Sequence, residues 1–268
     1  MPMSTTELHK ALRGLRLSGM SATLETRALQ ISTEHRDFLA GLSWLVQDEL
    51  DRRRSRLLER RFTHSGLPER KSLQELDWSF NPKLPKREIF ELTTLKFLDA
   101  KENLLLIGKP GTGKSHVAKA LALIAIEHGY RVFYREAHVL IEDIHEARQL
   151  GEIAKYRQQL SAASLLVIDD LFLRRLPPSA GDELADVLMS RYEKSTTVVT
   201  SNRPVEDWPA LLGDVVVVAP LLDRLMHHGH LLKFEGRSWR LKEAAATGCQ
   251  TNRVRVIIIR PLASPGGV

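Results

Sequence analysis

Gly108-Lys109-Pro110-Gly111-Thr112-Gly113-Lys114-Ser115 is the stretch that decides the fold of this 268-residue chain. It satisfies G-x-x-x-x-G-K-[ST] in full, with an apolar run at 104–107 before it and an apolar segment, Lys114–Glu127, after it. Glycines let the backbone curl until successive N–H groups point at one phosphate, and the following helix start adds the positive end of its dipole. Lys114 can then reach the β- and γ-phosphates, and the Ser115 hydroxyl can ligate Mg²⁺. The candidate nucleotide contacts are Gly108, Lys109, Pro110, Gly111, Thr112, Gly113, Lys114 and Ser115, with His116 next in line. A chance Gly-rich turn is the bland alternative, and the strand before and helix after argue against it.

A nucleotide metal needs an anionic ligand on a neighbouring strand. Leu165-Leu166-Val167-Ile168-Asp169-Asp170 supplies an apolar strand ending in two acids. Asp169 is the candidate metal ligand, and Asp170 the candidate for orienting and polarising the attacking water. The next strand ends in Thr200-Ser201-Asn202, where Asn202 can bond the γ-phosphate or its water, or simply start a turn with Arg203-Pro204.

Working outward, strands at 104–107, 131–134, 165–168, 196–200 and 230–234 alternate with helices at Lys114–Glu127, 139–150, 181–192 and 221–227. That alternation implies a mainly parallel sheet with helices on both faces. Residues 1–72 read instead as an all-α unit: Leu8, Leu12 and Leu15, then Phe38, Leu42 and Leu45, recur at helical spacing. Residues 76–85 read as a linker, marked by Asn81-Pro82 and Leu84-Pro85. The core spans 73–246, and a basic tail, 247–268, is expected to be poorly ordered.

The formal charge of +6 is local: residues 52–71 hold eight basic and two acidic side chains, so the remainder sums to neutral. Arg52, Arg53, Arg54, Arg56, Arg60 and Arg61, interleaved with apolar residues, are candidate phosphate contacts to nucleic acid, against a merely solvated helix face. Such contacts confer affinity without base readout. The lone Cys249 and the lack of a leader-like start or a membrane-length apolar run lead us to expect a cytoplasmic protein. His227, His228 and His230 lack cysteine or suitably spaced acid neighbours other than Asp223, which argues against a metal site. Trp44, Trp78, Trp208 and Trp239 read as packing residues, and no Ser-His-Asp arrangement can be inferred.

Taken together, these segments resemble the IstB-type AAA+ proteins, ATP-binding helpers of bacterial insertion sequences related to DnaC helicase loaders. Further matching segments are 15–20, 47–53, 80–85, 222–228 and 236–242, so the resemblance runs from about residue 8 to 245. It implies a P-loop NTPase core of the AAA+ type behind a small helical domain, with ATP and Mg²⁺ as ligands. It also implies self-association into an oligomer on duplex DNA that recruits and stimulates a transposase. A DnaC-like loader acting on a replicative helicase is the alternative. By match to the family pattern, Arg224 corresponds to the arginine finger, and Arg240, or else Arg237, to a second nucleotide sensor. Asp170 stands where most AAA+ enzymes carry Glu, one methylene longer, which suits a slow switch better than a fast motor. Phe172-Leu173 replaces the usual Phe-Gly. Two other functions compete with these: a small-molecule kinase, for which no arginine-rich lid is visible, and a scaffold that binds nucleotide without hydrolysing it.

Overall fold

The computed structural model describes residues 3–212 and 215–247. Among them, β1 (Asn103–Gly108), β2 (Val132–Glu136), β3 (Leu165–Leu171), β4 (Thr196–Ser201) and β5 (Gly229–Phe234) form one sheet in the order β2-β3-β4-β1-β5. Every neighbouring pair is parallel. Short apolar strands of this kind are buried on both faces, and alternation assigns each residue to one side. Leu104, Leu106, Val167, Val198 and Tyr134 face α6 (Lys114–Glu127), α4 (Lys86–Leu92) and α5 (Lys96–Asp99). Leu105, Phe133, Leu166, Ile168 and Val199 face the other layer. That layer holds α7 (Ala137–Gln149), α8 (Ile153–Ala162), α9 (Ala180–Arg191), α10 (Trp208–Leu212) and α11 (Val215–His227).

Helices α4, α5, α8 and α10, and α12 (Trp239–Thr247), have no counterpart in the sequence reading. They are short and declare themselves by what they cover: α4 and α5 bury Ile89 and Phe97, and α8 buries Leu160. Helix α11 begins at Val215 rather than near 221 and runs through Pro220. The expected tail lies outside the described residues, apart from Thr247, which ends α12.

The N-terminal helices α1 (Thr5–Gly14), α2 (Ser18–Thr33) and α3 (Phe38–Ser65) are present, but their apolar positions are not buried as their spacing suggests. Phe38 is 77% exposed, Leu15 69% and Leu50 54%. Helices α2 and α3 are held together by backbone approach and polar contacts. A Cβ on Gly19 would come within 2.6 Å of Glu49 Cα, and one on Gly41 would strike Ile31. Arg27 grips Asp48 with two hydrogen bonds of 2.9 and 2.8 Å. The second half of α3 packs on β2 and α6, with Phe62 against the core.

Candidate nucleotide-binding site

In a parallel sheet the carboxyl ends of the strands share one rim, where α/β proteins bind their ligands. Here β4 lies between β1 and β3. Asn202, just past β4, therefore stands between the loop after β1 and the acids ending β3. The Lys114 ammonium donates to the Asn202 Oδ1 at 2.6 Å and to the Lys109 carbonyl at 2.9 Å. Gly113 takes φ +104° and Gly111 φ +75°, values that side chains rarely adopt. At Gly111 a Cβ would also collide with Ser238.

A cavity of about 380 Å³ opens over this rim, lined by Pro110 through His116 of the loop and α6, by Asp170, Asn202 and Arg240, and by Trp239. Gly108 and Lys109 instead line a neighbouring hollow of about 800 Å³ beside β5, together with Arg237. His116 Nε2 lies 2.8 Å from the Ser72 carbonyl, tying α6 to the chain before the linker.

The two acids have different surroundings. Asp169 is 2% exposed, with one carboxylate oxygen accepting from Tyr134 at 2.6 Å and the other from the Thr200 hydroxyl. Thr200 also accepts the Asp170 N–H, at 2.8 Å, so one buried hydroxyl fixes both residues. Asp170 has φ +53°, and the β3–β4 register is interrupted between Ile168 and Leu171. A left-handed aspartate is uncommon but tolerated, and it ends the strict alternation that would send Asp170 to the α7 face. Its side chain lines the cavity. Burial, and then Asp169, push the Asp170 carboxyl up, while Arg240 and Lys114 pull it back. Burial draws Lys114 down to about 8, opposed by Asp170 and Asp169.

The segments at 80–85 and 236–242 meet at this site. Asn81 donates to the Arg237 carbonyl at 2.9 Å and accepts the Arg237 N–H at 2.8 Å. The Trp239 N–H donates to the Gly111 carbonyl at 2.8 Å, and the indole meets Phe80 edge-on, centroids 5.1 Å apart. Trp239, read from sequence as packing, thus borders the cavity, whereas Trp208 is a core residue at 1% exposure. Tyr134, on β2, and Thr200, on β4, are the further participants; their reach to Asp169 leaves no local mark in the sequence, because β2, β3 and β4 meet only in the sheet.

Arg224 does not join this cavity. Its guanidinium lies 3.1 Å from Met189 Sδ and over the Tyr192 ring, in a crevice shared with Asn103, the first residue of β1. Strand β1, six residues long, spans roughly 20 Å, so Arg224 sits at the opposite end of the sheet from Lys114. The basic run is also divided. Arg53 bonds Glu49 at 2.6 Å, and Arg70 bonds Glu59 at 2.7 Å. Arg52 is partly buried, Arg54 and Arg56 are exposed, and Arg60 and Arg61 flank the seam with the core. His230 pairs with Glu102 at 2.8 Å, leaving His227 and His228 near Glu193 on the exposed surface.

Five parallel strands, a phosphate loop entering α6 and an acid pair on β3 define a P-loop nucleotide-binding fold. The model of the IstB-like ATP binding protein family matches residues 10–247, and the chain belongs to that family. It is 32% identical over 251 residues to the insertion sequence IS21 putative ATP-binding protein of Pseudomonas aeruginosa, covering 94% of this chain and 95% of that one. It is 32% identical over 236 residues to the IS5376 putative ATP-binding protein of Geobacillus stearothermophilus, covering 88% and 94%. Among solved structures, AMPPCP-bound DnaA from Aquifex aeolicus is similar over 70% of this chain and 57% of that one, with a TM-score of 0.54 and 22% identity. DnaI is similar over 63% and 90%, with a TM-score of 0.50 and 18% identity. These two likenesses concern the fold alone. Among the described residues, no helix is long and apolar enough to cross a membrane.

Proposed function

We propose that this chain is a nucleotide-switched ATPase that assembles on duplex DNA and presents itself to the transposase of the same mobile element. The convergence of Lys114, Asp170, Asn202 and Arg240 on one cavity carries the reading. In it, loop N–H groups and Lys114 bind the phosphates of ATP. Asn202, which holds the Lys114 ammonium, gives up that bond to an incoming phosphate and orients the attacking water with Asp170. Asp170 takes the water's proton, and its raised pKa suits a base. The donor set fits Mg²⁺, a hard cation that prefers oxygen ligands: Asp169 has two of roughly four acceptor positions still free. Ser115, which lines the cavity, would hold the ion directly and Asp169, buried and outside that lining, through water; the ion supplies neutralisation of phosphate charge.

Arg224 acts in trans. Its separation from its own phosphate loop supports an assembly in which each protomer completes its neighbour's site. The exposed apolar residues Phe38, Leu39, Leu42 and Leu50 along α3 offer a surface for self-association or for the transposase. Exposed Arg54 and Arg56 supply phosphate contacts. The names of the relatives, ATP-binding proteins of insertion sequences, favour a transposase over a helicase as partner.

The test is sedimentation of the full chain with duplex or single-stranded DNA, with and without ATP and Mg²⁺. We expect large assemblies on duplex that require ATP and vanish in Lys114→Ala. A strict monomer in every condition overturns the reading, and a single-strand preference with capture of a ring helicase moves it to the loader alternative.

A further inference from the structure

A second cavity, of about 320 Å³, lies at the seam between α3 and β2, on the flank of the core away from the ATP site. Its walls include Arg60, Arg61 and His64 from α3, Tyr130 and Arg131 just before β2, and Gln159 from α8. Among the described residues, no acidic side chain lines it. Arg60, Arg61 and Arg131 have no carboxylate within ion-pair distance among the described residues, whereas the neighbouring Arg53 and Arg70 do. Such a concentration of unpaired guanidinium groups around one hollow is unfavourable unless an anion or solvent screens it.

The walls are built rather than loose. The Arg61 guanidinium lies against the turn at Gly129, where a Cβ would come within 3.3 Å of Nη1. His64 Nδ1 is 2.7 Å from the Arg60 carbonyl. Arg131 spends one N–H on the Ala162 carbonyl, at 3.3 Å, and four of its five donors remain. Because β2 is an edge strand, the hollow lies at the side of the sheet. Arg56, Arg60 and His64 follow one another at four-residue spacing on one face of α3, leading into it.

We infer that this seam is a notch for a phosphodiester of the nucleic-acid backbone, gripped jointly by α3 and the ATPase core. The inference rests on the nucleic-acid reading above and sharpens it: Arg131, outside the basic run, becomes a contact, and DNA touches the sheet that carries the nucleotide site.

The test is duplex binding by the full chain, followed by fluorescence anisotropy over a range of salt concentrations. Removing one phosphate-binding cation lowers the slope of log affinity against log salt by about 0.9. Arg131→Ala is expected to weaken duplex binding several-fold and to reduce the slope by about that amount. Arg131→Lys is expected to keep most of the slope. Melting curves and fluorescent-ATP binding are expected to be unchanged in both, which excludes misfolding. If Arg56→Ala weakens duplex binding but Arg131→Ala leaves affinity and slope intact, the notch is wrong and the nucleic-acid reading survives. If neither variant matters, both fail. If Arg131→Ala abolishes only binding of inorganic phosphate or a second ATP, the notch serves a free anion and the proposal is overturned.

Discussion

Burial takes the Lys114 ammonium out of water, and its pKa drops from the usual lysine range to about 8. Below pH 8 both folded and unfolded chains carry the proton, and the folded state bears the cost of a charged amine in a cleft. Between about 8 and about 10.4 the unfolded chain still holds the proton and the folded one has released it, so stability of the free protein rises with pH. Nucleotide binding runs the other way, because phosphates favour the charged amine. ATP binding near pH 8 to 9 is therefore expected to take up a proton, and affinity to weaken as pH climbs beyond that. Calorimetry in buffers of different ionisation enthalpy measures the uptake; affinity that stays flat from about pH 7 to about pH 9.5 would sink this account. The loop motif made Lys114 legible in the sequence. The Tyr134–Asp169–Thr200 linkage was not, since its three members come from three different strands.

Among the elements, β1 and α6 were clearest, because a motif with fixed geometry joins an apolar strand to an apolar helix. Helices α4, α5, α8, α10 and α12 were hidden, since short helices gain little from their own hydrogen bonds and exist through packing. In α3 the periodicity located the helix but not its buried face: Phe38 and Leu42, at core spacing, are at the surface. The closest approach of α2 to α3, beside the Arg27–Asp48 pair and the contact at Gly41, needs the absence of a side chain at Gly19, whose N–H reaches Glu49 Oε2 at 2.5 Å. Gly19→Val is expected to pry the hairpin apart at a cost of about 1–3 kcal/mol, exposing residues up to about 50 to protease while ATP binding persists. An unchanged cleavage pattern would show that another interaction holds the pair.

At the scale of the whole molecule, the sheet separates the phosphate loop from Arg224, so under the proposed function one chain would hold both halves of the catalytic arrangement without uniting them. Arg224→Ala is expected to lose ATP turnover by about 10³-fold or more, and Asp170→Asn, which keeps the phosphate loop and so the ability to assemble, to lose most of it. Mixed together they should regain part of it, because the intact acid and loop of the first meet the intact arginine of the second. A mixture as inactive as its components, with assembly still intact, would place the finger elsewhere.

Local chemistry was enough for the sequence to specify the phosphate loop, the acid-terminated strand, the parallel α/β class and the helical leader. Each depends on residues within a few positions of one another, and their spacing is set by strand and helix geometry. Tertiary structure alone decided which acid lines the cavity, which tryptophan borders it, and that segments 80–85, 108–115 and 236–242 share one site. Those relations arise from the placement of β4 between β1 and β3, and from the turn after β5 folding back over the loop, neither of which leaves a local mark on the chain.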